Sequence, residues 1–87
     1  MAQDAHPPLL VYSGPLCSGC DEVKGLLTGW GIPFTVKDIR ADIETMLEFR
    51  RKGYMEVPVV EGPGFTLEEY RDAGQLERLL RENGYIS

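Results

Sequence analysis

Two cysteines and one histidine are all the soft metal ligands this chain possesses. A structural zinc site normally draws four ligands from Cys, His or carboxylate, so this inventory disfavours a zinc site held by one copy of the chain. There is no run of eighteen apolar residues, and hence no expected transmembrane helix or membrane partner. Basic residues are also scarce: 9 Lys and Arg face 14 Asp and Glu, for a net charge of −5. Binding to nucleic acid relies on neutralising phosphates with Lys and Arg, so this balance argues against a nucleic-acid partner. It suits a protein partner with a basic surface, and equally a charge that only keeps a small protein soluble. Repeats, low-complexity tracts and internal linkers are absent. The opening Met1 to Pro8 lacks a basic segment followed by an apolar one. No secretory signal is therefore expected, and the expected compartment is a reducing cytoplasm.

What is present is 87 residues, 43% of them apolar, enough for one small domain with one compact core. Residues 1–8, with Pro7-Pro8, read as a flexible tail, and residues 9–87 as the single domain. Leu9 to Ser13 is apolar almost throughout, which suits a central strand covered on both faces. Ser13-Gly14-Pro15-Leu16 is a turn. From about Cys17 to Trp30 a helix is expected, because Val23, Leu26, Leu27 and Trp30 recur at i, i+3, i+4 and i+7. Phe34 to Ile39 alternates as a second strand, parallel to the first across the helical crossover. A second helix runs from about Asp42 to Lys52, with Ile43, Met46 and Leu47 expected on its buried face. Its last turn carries Arg50, Arg51 and Lys52, which match the negative end of the helix dipole. Val57 to Glu61 and Phe65 to Tyr70 form a hairpin about the turn Glu61-Gly62-Pro63-Gly64. Asp72 followed by Gln75 signals the start of a last helix, with Leu76, Leu79 and Leu80 as its apolar stripe and Gly84 at its end. The order is β-α-β-α-β-β-α, an α/β fold.

The chemistry centres on Cys17-Ser18-Gly19-Cys20. A cysteine delivered by a strand and a turn to the start of a helix meets unpaired backbone N–H groups and the positive end of the dipole. Both favour the thiolate, the form that attacks disulfides. Cys20 lies about one turn on, where it can close a disulfide with Cys17. A purely structural disulfide is the competing reading, but a C-x-x-C pair at a helix start after a strand is usually redox-active. Gly19 either keeps the approach to the sulfurs clear or is simply tolerated in a first turn. Val57-Pro58 is the second chemical feature, since proline in a sheet marks an edge or a strand's first residue.

Together Tyr12 ahead of the turn, Cys17 and Cys20, Val57-Pro58 before the hairpin and the capped helix at Asp72 resemble the thioredoxin superfamily, and within it the glutaredoxins. The resemblance runs from Leu9 to about Asn83. It implies the thioredoxin fold, a four-stranded mixed sheet flanked by helices. It also implies a thiol–disulfide oxidoreductase without a cofactor. Cys17 would be the nucleophile, Cys20 the resolving thiol, and Pro58 a cis proline exposing the Val57 backbone to a substrate strand. Tyr12, Ser18 and Gly19 complete the expected substrate-binding set. The alternative function is an iron–sulfur or metal module bridging subunits through Cys17.

Departures from the glutaredoxin pattern narrow the partner. Glutathione-using members carry Lys, an aromatic residue and Gly-Gly-x-Asp where this chain has Gly14, Gly19 and Glu69-Tyr70-Arg71-Asp72. Asp21, Glu22 and Glu56 add negative charge near the sulfurs, which disfavours anionic glutathione. Gly53-Tyr54 ahead of Val57-Pro58-Val59-Val60 is similar to NrdH redoxins, the electron donors of class Ib ribonucleotide reductase. Their Trp-Ser-Gly-Phe-Arg-Pro stretch is missing here. The expected partners are a disulfide-containing protein, ribonucleotide reductase among the candidates, and either thioredoxin reductase or a low-molecular-weight thiol as reductant. Classical thioredoxins keep a buried acid six residues before the first Cys. Val11 stands there, so proton transfer to Cys20 must use water or another group.

Overall fold

The apolar run Leu9–Ser13 is β1, and it lies inside a four-stranded sheet of order β2-β1-β3-β4. The computed structural model describes residues 6–87. Along the chain follow α1 (Ser18–Gly29), β2 (Phe34–Asp38), α2 (Ile43–Arg51), β3 (Val59–Gly62), β4 (Phe65–Leu67) and α3 (Ala73–Glu82). β1 pairs with β2 in parallel and with β3 antiparallel, and β4 is antiparallel to β3, so the sheet is mixed as expected.

Alternation along β1 divides the core between the two sheet faces. Leu9 and Val11 join Val23 and Leu27 of α1 and Leu76 and Leu80 of α3 in one buried cluster. Tyr12 turns the other way and packs with Phe49, Tyr54 and Val59. The three rings of that second cluster meet edge-on or tilted, with centroids 5.5–5.8 Å apart, a favoured arrangement for aromatic quadrupoles.

Here the expected stripe of α2 is corrected. Ile43 and Leu47 are 68% and 51% exposed, and the residue that anchors the helix is Phe49, at 1%. Phe49 packs against Tyr12 of β1 and Tyr54 of the loop before β3, and that contact turns Ile43 and Leu47, four residues apart on one face, toward solvent. Strand ends differ as well. β3 starts at Val59 and leaves Val57-Pro58 in the preceding loop, while β4 stops at Leu67. Pro58 has no N–H to give a ladder.

The helix starts follow the capping rules. The Asp42 carboxylate accepts the Thr45 N–H at 2.7 Å, and Asp72 accepts that of Gln75 at 2.9 Å. Gln75 also reaches back, accepting from Arg71 N–H at 2.7 Å and donating to Glu69 O at 3.1 Å. Its amide thereby fixes the backbone on both sides of Tyr70. Of the tail expected over residues 1–8, residues 1–5 lie outside the described residues. The His6 ring sits 4.7 Å from that of Tyr85, whose hydroxyl donates to Pro7 O at 2.8 Å. No helix among the described residues is long and apolar enough to cross a membrane.

Candidate active site

β1 ends at Ser13, and the turn through Leu16 delivers the chain to Cys17, which is the N-cap of α1 rather than its first helical residue. Its Sγ accepts the Cys20 N–H at 3.0 Å, so the sulfur takes the place that a Ser or Asp oxygen usually fills. Cys17 and Cys20 form a disulfide with Cα atoms 5.2 Å apart. The two sulfurs are not equivalent in access. Cys20 is fully buried, whereas Cys17 is half-buried and lines a groove of about 570 Å³.

Ser18, Gly19, Val57 and Pro58 line the same groove. The Val57-Pro58 peptide is cis, and Val57 O lies 3.8 Å from Cys17 Sγ. Gly19 sits under close contacts: a Cβ there would lie 3.3 Å from Pro58 Cδ and 3.6 Å from the Tyr70 ring. Its bareness leaves room for proline at the helix start: a Cβ would press on Pro58 and make an ordinary contact with Tyr70.

Tyr12 is not brought to the groove. It is fully buried, its hydroxyl hydrogen-bonded to Glu48 and accepting from Lys52 Nζ at 2.8 Å. Lys52 continues to Glu61 at 3.1 Å, Lys37 meets Glu48 at 3.2 Å, and the Tyr54 hydroxyl bonds to Glu61. The Tyr12 hydrogen bond, and after it Lys37, holds the Glu48 carboxyl below the usual range. The same hydroxyl, joined by Glu61, raises Lys52 above the ordinary lysine value against the burial that lowers it. Lys52 of the basic helix end is thus consumed by neighbours and presents no open anion patch.

Several residues of the groove escaped sequence reasoning. Leu16 is fully exposed and adopts φ +53°, a left-handed conformation uncommon for a leucine. Met55, 88% exposed, lines the same groove. A second cleft of about 380 Å³ shares Met55, Val57, Pro58 and Tyr70 with the groove, and Glu56, Glu68 and Glu69 complete its lining. The Tyr70 hydroxyl is buried without a hydrogen-bond partner among the described residues. Burial, and after it the Glu22 carboxylate, pushes this phenol up to about 12. A signal existed for Glu69 and Tyr70, which stand where the glutaredoxin pattern has paired glycines. An exposed leucine in a turn carries none.

Among the described residues no three His, Cys, Asp or Glu side chains come together as metal ligands. No curated protein matches the chain. Among solved structures, a glutaredoxin from Archaeoglobus fulgidus superposes with a TM-score of 0.71 at 22% identity, over 93% of this chain and 94% of that one. A mutant of the thioredoxin-like protein BC3987 gives 0.70 at 20% identity, over 84% and 90%. A mutant of poplar glutathione transferase F1 gives 0.57 at 21% identity, over 88% of this chain but 36% of the transferase. These likenesses show the thioredoxin fold. The glutaredoxin family model matches residues 9–63, more than half of the chain, including the cysteine pair and Val57-Pro58. The chain therefore belongs to the glutaredoxin family, thiol–disulfide redoxins of the thioredoxin superfamily.

Proposed function

We propose that this redoxin reduces protein disulfides by dithiol exchange, with Cys17 as nucleophile and Cys20 as resolving thiol. The observation that carries the assignment is the asymmetry of the pair: Cys17 opens to the groove and Cys20 is fully buried behind it. In the reduced protein the Cys17 thiolate, stabilised by the α1 N-terminus and the Cys20 N–H, attacks one sulfur of the partner. The partner's S–S bond breaks, and the leaving sulfur takes up a proton. Cys20, deprotonated through water or another group, then attacks Cys17 Sγ and releases the second partner sulfur. The Cys17–Cys20 pair gives up two electrons and two protons and ends as the disulfide.

Among the described residues Val57 makes no backbone–backbone hydrogen bond outside the regular elements, and its carbonyl has only the Cys17 sulfur 3.8 Å away. Its N–H and C=O are therefore free to pair with an extended partner segment beside Cys17, the recognition mode of strand addition. Gly53-Tyr54 ahead of Val57 favours an NrdH-like place, between thioredoxin reductase and ribonucleotide reductase. A low-molecular-weight thiol is the other reductant. Two measurements test these roles. Cys20→Ser should accumulate a mixed disulfide with the partner through Cys17, and Cys17→Ser should be inactive; activity surviving in Cys17→Ser would reverse the assignment. NADPH oxidation coupled through thioredoxin reductase should exceed that through glutathione and its reductase, and the opposite result would remove the NrdH-like place.

A further inference from the structure

Most exposed carboxylates of this molecule stand without an ion pair among the described residues, and three of them gather beside the disulfide. Glu48, Glu61, Glu77 and Asp21 each have a Lys or Arg within 4 Å. Glu56, Glu68 and Glu69 are all exposed and form no ion pair among the described residues. These three carboxylates line one cleft, which shares Val57 and Pro58 with the disulfide groove, and among the described residues no basic side chain lines either.

We infer that the groove selects disulfides bearing positive charge next to the sulfur under attack. Its natural partner is then a protein segment with Lys or Arg beside its half-cystine. This inference rests on the redoxin reading given above. One effect opposes it, because a helix N-terminus favours anions. That end carries about half a unit charge, its influence fades within one turn, and the Cys17 thiolate already occupies it. Glu56 lines the groove and Glu68 and Glu69 the adjoining cleft, each with a whole charge that acts on the groups flanking the sulfur beyond the reach of that turn. Leu16 and Met55, exposed on the rim, suit the apolar portion of such a segment.

The test uses protein reduced with dithiothreitol, freed of it, and mixed with three small disulfides: cystamine, hydroxyethyl disulfide and 3,3′-dithiodipropionate. The first carries two ammonium groups, the second none, and the third two carboxylates. Each consumes the two electrons of the dithiol and leaves two thiols, counted after acid quench. Every rate is divided by that of 2-mercaptoethanol with the same disulfide at the same salt, which cancels intrinsic reactivity and the thiolate's own charge. Cystamine is expected to exceed dithiodipropionate by about tenfold at low ionic strength, shrinking to about twofold near 0.5 M salt. In Glu56→Gln/Glu69→Gln that ratio should fall to about threefold. Glu77→Gln/Glu82→Gln on α3, which removes equal charge elsewhere, should leave it near tenfold. A normalised ratio near one, or an equal drop in both double variants, overturns the inference while leaving the redoxin reading intact. No reaction with any of the three disulfides sinks that reading itself, and the inference with it.

Discussion

Two regions of the molecule use polar side chains in opposite ways. Under α2, Tyr12, Tyr54, Lys37, Glu48, Lys52 and Glu61 satisfy one another in a closed network over the aromatic cluster. Around the disulfide, among the described residues, the Tyr70 hydroxyl has no partner, three carboxylates have no cation, and the Val57 backbone makes no backbone–backbone bond outside the regular elements. A protein that pairs its charges carefully in one place could have done so in the other. The difference separates the part built to hold the fold from the part left open for another molecule.

The most severe way to break this contrast is to remove the anchor of the closed side. Phe49→Ala deletes a ring that is 1% exposed between Tyr12 and Tyr54. It should cost about 3–5 kcal/mol in urea unfolding. The alkylation rate of Cys17 per folded molecule should change by less than about twofold, since Phe49 does not line the groove and only Ile39 and Val57 join its cluster to it. A larger change would mean that the two regions are coupled. By the same token Ile43→Ala, chosen from the stripe that the sequence suggested, should cost little, because Ile43 is solvent-exposed.

High pH probes both regions at once. Burial, then the Glu61 hydrogen bond, pushes Tyr54 up to about 12, and burial does the same for Tyr70. A folded-state value above the unfolded ~10 means that the folded protein holds the proton more tightly. This contribution is complete below pH ~10 and is lost as pH rises from about 10 to about 12. Each tyrosine should account for on the order of 2 kcal/mol across that window. In Tyr54→Phe the alkaline fall should be shallower, with the rest removed in Tyr54→Phe/Tyr70→Phe. A fall of unchanged steepness in the double variant would assign it to other groups.

Legibility from the sequence followed the same divide. Periodicity, turn residues and caps are local signals. They placed β1 residue for residue, set Asp72 at a cap and gave the element order; Asp42, expected at the start of α2, is its cap, and the mixed sheet was what the family resemblance implied. They failed where a distant partner decides orientation. The face of α2 depends on whether Phe49 or Leu47 meets the sheet, and that is settled by the rings of Tyr12 and Tyr54, thirty-seven residues before Phe49 in one case. Tyr12 itself resembled a site residue because it precedes the active-site turn, yet strand alternation points it to the other face. At the groove the cysteines and Val57-Pro58 were visible as motifs. Tyr70 reaches it only because Gln75 ties the backbone on either side, and no spacing rule encodes that.

A smaller effect tests whether the closed network is additive. Tyr12→Phe keeps the ring and removes the hydroxyl, while Glu48 retains Lys37 and Lys52 as partners. The loss should be about 1 kcal/mol, the net value of one hydrogen bond whose partners are not stranded. A loss of 3 kcal/mol or more in thermal or urea unfolding would show that the hydroxyl organises the whole network.

The smallest expected effect on stability comes from the open side, at Leu16, and it has the opposite sign. A leucine at φ +53° costs roughly 1–2 kcal/mol relative to the right-handed region, and glycine avoids most of that. Glycine also has more freedom to lose on folding, a penalty of about 0.5–1 kcal/mol. Because the Leu16 side chain is fully exposed, its removal sacrifices little packing. Leu16→Gly should therefore be as stable as the parent or about 0.5 kcal/mol more stable. If the leucine is held in this conformation to meet a partner, the same variant should lose activity on a protein disulfide several-fold. Reduction of hydroxyethyl disulfide, which is too small to cover Leu16, should change by less than about twofold. A variant less stable by more than 1 kcal/mol would show that Leu16 supports the turn. Unchanged kinetics on the protein substrate would leave its exposure without a role in docking.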